Sequence, residues 1–450
     1  MVLIAPSLAA MSLVLSAFAS NSAHPLAVAR PLVAAFVFGV VLSGISFALI
    51  RRPVAAAVAA ALVIIGLWGP SGLQLDLILA LLWVIRVRWR VMHGRPAPAV
   101  SFGVVMGGAC VLLIAGMVTA VIGHGYDPRD WTDPGPRAGS GRLPNIYVVL
   151  LDGYPNGETL RETFGVDNEP FLSSLESLGF VVDRDSRSTH YATELTLLGM
   201  LSGRTNLTEA DLFAPSGIAE RRQVRRELRA APGTAALRAA GYELVTLTSP
   251  IDVVSLDGWD RVVSNGHLSD GEITILGESL LGPLLGDVIM DDLRSRVDDE
   301  LRDLATLADP SAQRIVLVHL MAPHPPFLWD QEGEGTKPPA CWPRSCHLFV
   351  SAMELLGLPL DVYTRQMQAQ VRHLNGLVVA SIGSVVERDP TGIVVVLSDH
   401  GSRYSIVDFE ENYRNLFAIR SSVESGLANQ STPDALFADL VSLAKRSAIP

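Results

Sequence analysis

Apolar positions are distributed in two different ways along the chain. Up to residue 123 they form long unbroken runs, near 3–20, 26–50, 53–68, 73–86 and 101–123. A helix that crosses a bilayer needs about 20 mostly apolar residues, so these runs predict about five transmembrane helices. Beyond residue 142 the runs shorten to "IYVVLL" (146–151), "ELVTLT" (243–248), "RIVLVHL" (314–320) and "IVVVLS" (393–398). None of them alternates polar with apolar, which predicts strands covered on both faces, as in a parallel sheet. Amphipathic stretches lie between them, at 169–178, 219–240, 290–307 and 361–387. Strands alternating with helices predict an α/β sandwich. The stretch 124–142, "HGYDPRDWTDPGPRAGSGR", is rich in Gly, Pro and charge and reads as a linker. The expected organisation is a multi-helix transmembrane region (1–123), a linker (124–142) and an α/β domain (143–450).

Charge sharpens the division. The chain carries a formal charge of −11, yet residues 1–123 hold a single acidic residue, Asp76. Arg51 and Arg52 separate the second and third apolar runs, and Arg86, Arg88, Arg90 and Arg95 separate the fourth and fifth. The positive-inside rule places both clusters in the cytoplasm. That predicts a multi-pass protein of the cell membrane with everything after residue 123 outside the cytoplasm. "SAFAS" (16–20) offers a signal-peptidase site, and cleavage there would not move the large domain to the other side. The acidic outer part lacks the basic face that nucleic acid requires. Its Cys341 and Cys346 bracket "CWPRSC", and an oxidising compartment lets them pair. Two free thiols are the alternative.

The chemistry gathers at strand ends, where open α/β sheets bind ligands. "NIYVVLLDGYP" ends in Asp152, "IVVVLSDHG" in Asp399 and His400, and "RIVLVHLMAPHPPF" in a loop carrying His324. If these strands are neighbours, carboxylates and imidazole converge into a ligand set for one divalent cation. Carboxylate-rich ligation favours Mn2+, with Zn2+ or Mg2+ as alternatives. "STHYATELTLLGMLSGR" (188–204) supplies a hydroxyl, Thr193, at the N-terminus of a short helix ended by Gly203. The positive end of a helix favours an anion, so Thr193 is a candidate nucleophile. Its plain alternative is a helix N-cap, and Ser188, Thr189 and Thr196 are rival hydroxyls. Arg403 could clamp a phosphate with its planar fork or sit solvated on the surface. His319 reads as a hydrogen-bonded core residue, and Tyr154 and Trp329 as packing.

This set resembles the alkaline phosphatase superfamily. It is most similar to the sulfatase-like, membrane-anchored branch, which includes lipoteichoic-acid synthases and phosphoethanolamine transferases. The resemblance covers roughly 143–420 and implies a sulfatase-like fold. It further implies one metal held by Asp152, Thr193, Asp399 and His400, with Thr193 as nucleophile. In sulfatases the nucleophile precedes the Gly of an "LLTG"-like helix end by ten residues, and here ten before Gly203 is Thr193. His324 would then contact substrate, alongside Arg403. The chain departs from true sulfatases in two places. Thr193, Leu195 and Leu197 stand where a modified Cys or Ser, a Pro and an Arg are expected. Gly153 follows Asp152 where sulfatases have a second acid. The expected function is a metal-dependent transferase or hydrolase acting on phosphodiesters or esters, with membrane lipid and envelope glycan or polymer as substrates. A sulfatase-like ester hydrolase and a catalytically silent envelope-binding module are the competing readings.

Overall fold

The computed structural model describes residues 4–19, 28–51, 53–68, scattered positions between 82 and 114, and most of 142–447. In that last stretch 204–205, 214–217, 252–253, 255, 257, 279–281, 340–341, 343–356, 403–408 and 428–433 lie outside the description. The chain divides into two compact units, Met1–Asp127 with Ser269–Leu285, and Pro128–Leu268 with Gly286–Pro450.

In the first unit the helices Ala5–Ala19, Ala29–Ile50 and Pro53–Trp68 pack on one another. Ser7 Oγ donates to the Phe36 carbonyl (3.0 Å), and a Cβ at Gly39 would collide with the Ser7 backbone. Small residues let the first two backbones approach closely, as interfaces between membrane helices require. One described helix, Ala29–Ile50, is long and apolar enough to cross a bilayer. The expected array of about five spans therefore has one full-length span among the described residues. Ala5–Ala19 and Pro53–Trp68 are shorter, and the runs at 73–86 and 101–123 fall largely outside the description. The segment Ser269–Leu285, expected to be part of the outer domain, instead belongs to this unit: Arg30 Nε donates to Glu272 Oε1 (2.6 Å).

The second unit is built on a seven-stranded sheet. Its strands are β1 (Ile146–Leu151), β2 (Val181–Asp183), β3 (Glu243–Leu247), β4 (Arg261–Val263), β5 (Arg314–Leu320), β6 (Ile393–Ser398) and β7 (Phe417–Arg420). The order across the sheet is β2-β7-β6-β1-β5-β3-β4. The pairs from β6 to β4 are parallel, and β7 and β2 add an antiparallel edge. The sheet is therefore mixed rather than wholly parallel; the short strands β2, β4 and β7 lack the apolar runs that predicted the others. The amphipathic stretch 219–240 is two helices, Ile218–Arg229 and Pro232–Ala239. Pro232 has no N–H to continue the first and sits at the start of the second.

Register follows from one residue at the start of β1. Asn145 Oδ1 accepts from Arg314 N (2.8 Å), and Asn145 O accepts from Ile393 N (2.9 Å). Its Nδ2 donates to Asp389 Oδ2 (2.7 Å), which also accepts from the Tyr147 hydroxyl (2.9 Å). Burial first, and then Asp389, push the Tyr147 phenol far above its ordinary pKa. Asn145 thus ties β1 to β5 and β6 at once. Alternate residues Ile146, Val148 and Leu150 share one buried cluster with Ile315, Leu317, Ile393, Val395 and Leu397. The helix Thr193–Ser202 contributes Leu195, Leu197, Leu198, Met200 and Leu201 to that cluster. The opposite-facing Val149, Leu151, Val318 and Val396 are buried as well, so both faces of the sheet are covered.

Asn145→Ala removes the side-chain partner in two of these bonds, to Arg314 N and to Asp389, and leaves buried groups unpaired at about 1–3 kcal/mol each. Its thermal unfolding midpoint should fall clearly below that of the parent protein, whereas an unchanged midpoint would mean that the register is set elsewhere.

Candidate metal centre

Strand pairing aligns Leu150 with both His319 and Leu397, so Asp152 continues β1 beside Asp399 at the end of β6. Side chains alternate along a strand. Asp152, His319 and Asp399 have the same parity as the core residues Leu150, Leu317 and Leu397, and they emerge on the same face. Their ligand atoms lie within 4.8 Å of one another, and all three residues are buried. His400 Nε2 stands 3.5 Å from both Asp152 Oδ1 and Asp399 Oδ2, and His319 Nε2 stands 3.4 Å from Asp152 Oδ2.

The remaining atoms of these side chains are held in place. Asp399 Oδ1 accepts from the backbone N–H groups of Gly153 (2.9 Å) and His400 (3.0 Å). Gly153 adopts φ +66°, a left-handed conformation that turns the chain after Asp152 and that glycine tolerates best. His400 Nδ1 is 2.7 Å from the Gly401 carbonyl and so carries the proton, which leaves Nε2 with its lone pair. His319 Nδ1 lies 2.7 Å from Ser249 Oγ. What is left over is specific: both oxygens of Asp152, Asp399 Oδ2, His319 Nε2 and His400 Nε2 are buried without a hydrogen-bond partner. Distances of 3.4–3.5 Å are too long for good hydrogen bonds.

Five orphaned acceptor-type atoms meeting in one buried place suit a cation. Two carboxylates balance a divalent charge, and the mixed oxygen and imidazole set fits zinc or manganese chemistry. Burial pushes the Asp152 carboxyl up, but His324 first, and then the imidazoles of His319 and His400 beside it, outweigh burial, and the group ends well below the usual carboxylate range.

His319, expected to be a hydrogen-bonded core residue, is buried and bonded to Ser249, and its Nε2 also joins this group. The signal was available in its parity, two residues beyond Leu317 on the face that ends in Asp152. His324 is buried; its N–H donates to the Asp152 carbonyl (3.0 Å) and its Nδ1 lies 2.6 Å from the Pro325 carbonyl. Thr193 is the first residue of its helix and is buried, while Ala192 takes the cap position. The rival hydroxyls are all engaged: Ser188 with the His190 carbonyl (2.6 Å), Thr189 with Asp434 (2.9 Å) and Thr196 with the His190 carbonyl (3.3 Å). Among the described residues nothing bonds the Thr193 hydroxyl. Tyr154 and Trp329 are packing: the Tyr154 hydroxyl is 2.7 Å from Asn375 Oδ1, and Trp329 stacks on His373 at 4.5 Å. Arg403, Cys341 and Cys346 lie outside the described residues.

The outer groups of metal ligands set affinity, and removing one weakens binding about 10- to 100-fold. Ser249→Ala, which strips His319 Nδ1 of its partner, should weaken Zn2+ binding by that factor in equilibrium dialysis. Unaltered affinity would exclude His319 from the site.

No protein-family profile matches the chain, and no curated protein does. Solved structures do. The integral membrane lipooligosaccharide phosphoethanolamine transferase A (EptA) from Neisseria meningitidis is similar at 13% identity and TM-score 0.42, over 97% of this chain and 95% of that one. The C-terminal periplasmic domain of EptC from Escherichia coli, in complex with Zn, gives 15% identity and TM-score 0.40, over 69% and 86%. The lipoteichoic acid synthase LtaP from Listeria monocytogenes gives 11% identity and TM-score 0.33, over 64% and 68%. These neighbours are of the kinds that the sequence resembles. At TM-scores below 0.5 they are likenesses only, and the chemistry that follows rests on the side chains of this chain.

Proposed function

We propose that the chain is a membrane-anchored, metal-dependent phosphotransferase or phosphodiesterase in which Thr193 is the nucleophile. The observation that carries this reading is the set of five unpartnered polar atoms on Asp152, His319, Asp399 and His400, on the sheet face that also packs the Thr193 helix. A divalent cation held by those four residues would neutralise charge on the transferred phosphoryl group and favour the ionised form of a nearby hydroxyl.

The protein's own groups do the rest. Thr193 Oγ1, the hydroxyl left unbonded among its neighbours, attacks phosphorus, and the alcohol of the phosphodiester departs. Backbone N–H groups at the start of the Thr193–Ser202 helix face the phosphoryl oxygens. His324, tied through its backbone to Asp152, takes up the proton that Thr193 loses and passes it to the leaving oxygen. Water or an alcohol then attacks the phospho-threonine from the opposite side, and Thr193 recovers its hydroxyl. The buried carboxylates and imidazoles exclude bulk water, which strengthens each charge interaction in the site. Hydrolysis of sulfate esters is the weaker reading, because Thr193 cannot form the aldehyde hydrate that a sulfatase nucleophile provides.

Thr193→Ala in the full-length protein should lower phosphodiester turnover by at least about 1,000-fold, as loss of a covalent nucleophile does elsewhere. Mass spectrometry of the parent protein, quenched during turnover, should locate a phosphoryl adduct on Thr193. Turnover undiminished in the variant, or an adduct on another residue, would refute the assignment.

A further inference from the structure

Two residues before Thr193 stands an aromatic assembly that the reaction does not use. Tyr191 lies edge to face with Phe409 (centroids 5.6 Å apart, 78°) and with Tyr413 (5.7 Å, 85°). Phe409 and Tyr413 close the triangle at 5.9 Å and 77°, and Phe213 stacks on Tyr191 at 6.2 Å. Four rings from three distant segments thus form one platform. Interior packing does not account for it, because Phe213 is 52% and Phe409 58% exposed. Exposed aromatic clusters of this kind mark binding sites.

The rim of the platform is polar. Glu209 Oε1 accepts from Tyr191 N (3.1 Å) and lies 3.1 Å from His190 Nδ1. Although burial pushes it up, His190 and nearby backbone N–H groups bring the Glu209 carboxyl below its ordinary value, so it is ionised at neutral pH. Arg187 pairs with Glu410 beside Phe409 (3.2 Å). An acyl chain would gain nothing from this charged border. A pyranose ring would: its axial C–H groups meet the electron-rich ring faces, and its hydroxyls can pair with Glu209, His190 and Glu410. Reach points the same way. Two residues span at most about 7 Å, so a single sugar ring on the platform can present a hydroxyl at Thr193.

We propose that Tyr191, Phe213, Phe409 and Tyr413 form an acceptor subsite that binds a hexopyranose ring by stacking, with Glu209 and His190 holding its hydroxyls. The proposal rests on the phosphotransfer reading above and names its acceptor. In the second step the sugar oxygen bonds to phosphorus as the bond from phosphorus to Thr193 Oγ1 breaks. The hydroxyl proton ends on Thr193, and no other reactant is required.

The test is saturation-transfer NMR on the full-length protein in phosphatidylglycerol nanodiscs, with methyl β-glucopyranoside and methyl α-mannopyranoside as probes and glycerol as control. Ring C–H protons of at least one glycoside should receive saturation while glycerol does not. Stacking of this kind is worth enough that Phe409→Ala and Phe213→Ala should each weaken binding about 3- to 10-fold. Phe409→Trp should restore it, with metal content the same throughout. The signal should persist in Thr193→Ala, which separates failure of this proposal from failure of the nucleophile assignment. No glycoside signal in the parent protein, equal signal from glycerol, or affinity unmoved in both alanine variants would overturn the subsite.

Discussion

Everything at the candidate site depends on the register of three parallel strands. β5 and β6 flank β1, and pairing aligns Leu150 with His319 on one side and Leu397 on the other. A slip of one residue in either neighbour would turn its ligand to the opposite face of the sheet. The apolar runs alone do not forbid such a slip, since both faces are buried and any register satisfies the hydrophobic effect. Asn145 forbids it: one side chain and one carbonyl engage Arg314, Ile393 and Asp389 together. The determinant of the site's geometry therefore sits at the far end of the strands from the site itself.

The second constraint is electrostatic. Asp152 and Asp399 are fully buried, and among the described residues no Lys or Arg pairs with either. Two uncompensated carboxylates in such a place are costly unless a cation or a shared proton joins them. Among the described residues the groups beside them that could carry positive charge are histidines, and two of these offer Nε2 without a partner. The fold thus maintains an arrangement that is unfavourable for an empty protein and favourable for one that holds a divalent ion. Strain of this type is expected at functional sites rather than in cores.

Much of this was legible in the sequence, for identifiable reasons. β1, β5 and β6 begin and end where their apolar runs do, because fully buried strands carry an uninterrupted signal. Asp152, Asp399 and His400 stood out because polar residues directly follow those runs. The helix break at Pro232 and the short strands β2, β4 and β7 did not, since three- and four-residue edge strands have too few positions to show a pattern. His319 reads as core, and it is buried and bonded to Ser249; parity puts it on the face of Leu317, and only the neighbouring strand shows that Asp152 shares that face. The aromatic platform was invisible for a similar reason: Tyr191, Phe213 and Phe409 are far apart in sequence and share no spacing. The placement of Ser269–Leu285 with the N-terminal helices was likewise hidden, as its contact through Arg30 and Glu272 is long-range.

The central claim is that the ends of β1, β5 and β6 build one cation site. Metal content of the purified full-length protein, measured by plasma mass spectrometry in the parent and in Asp399→Asn, tests it most directly. The account predicts close to one divalent ion per chain in the parent and a large loss in the variant at equal folding. A metal-free parent protein, or equal occupancy in the two, would contradict it.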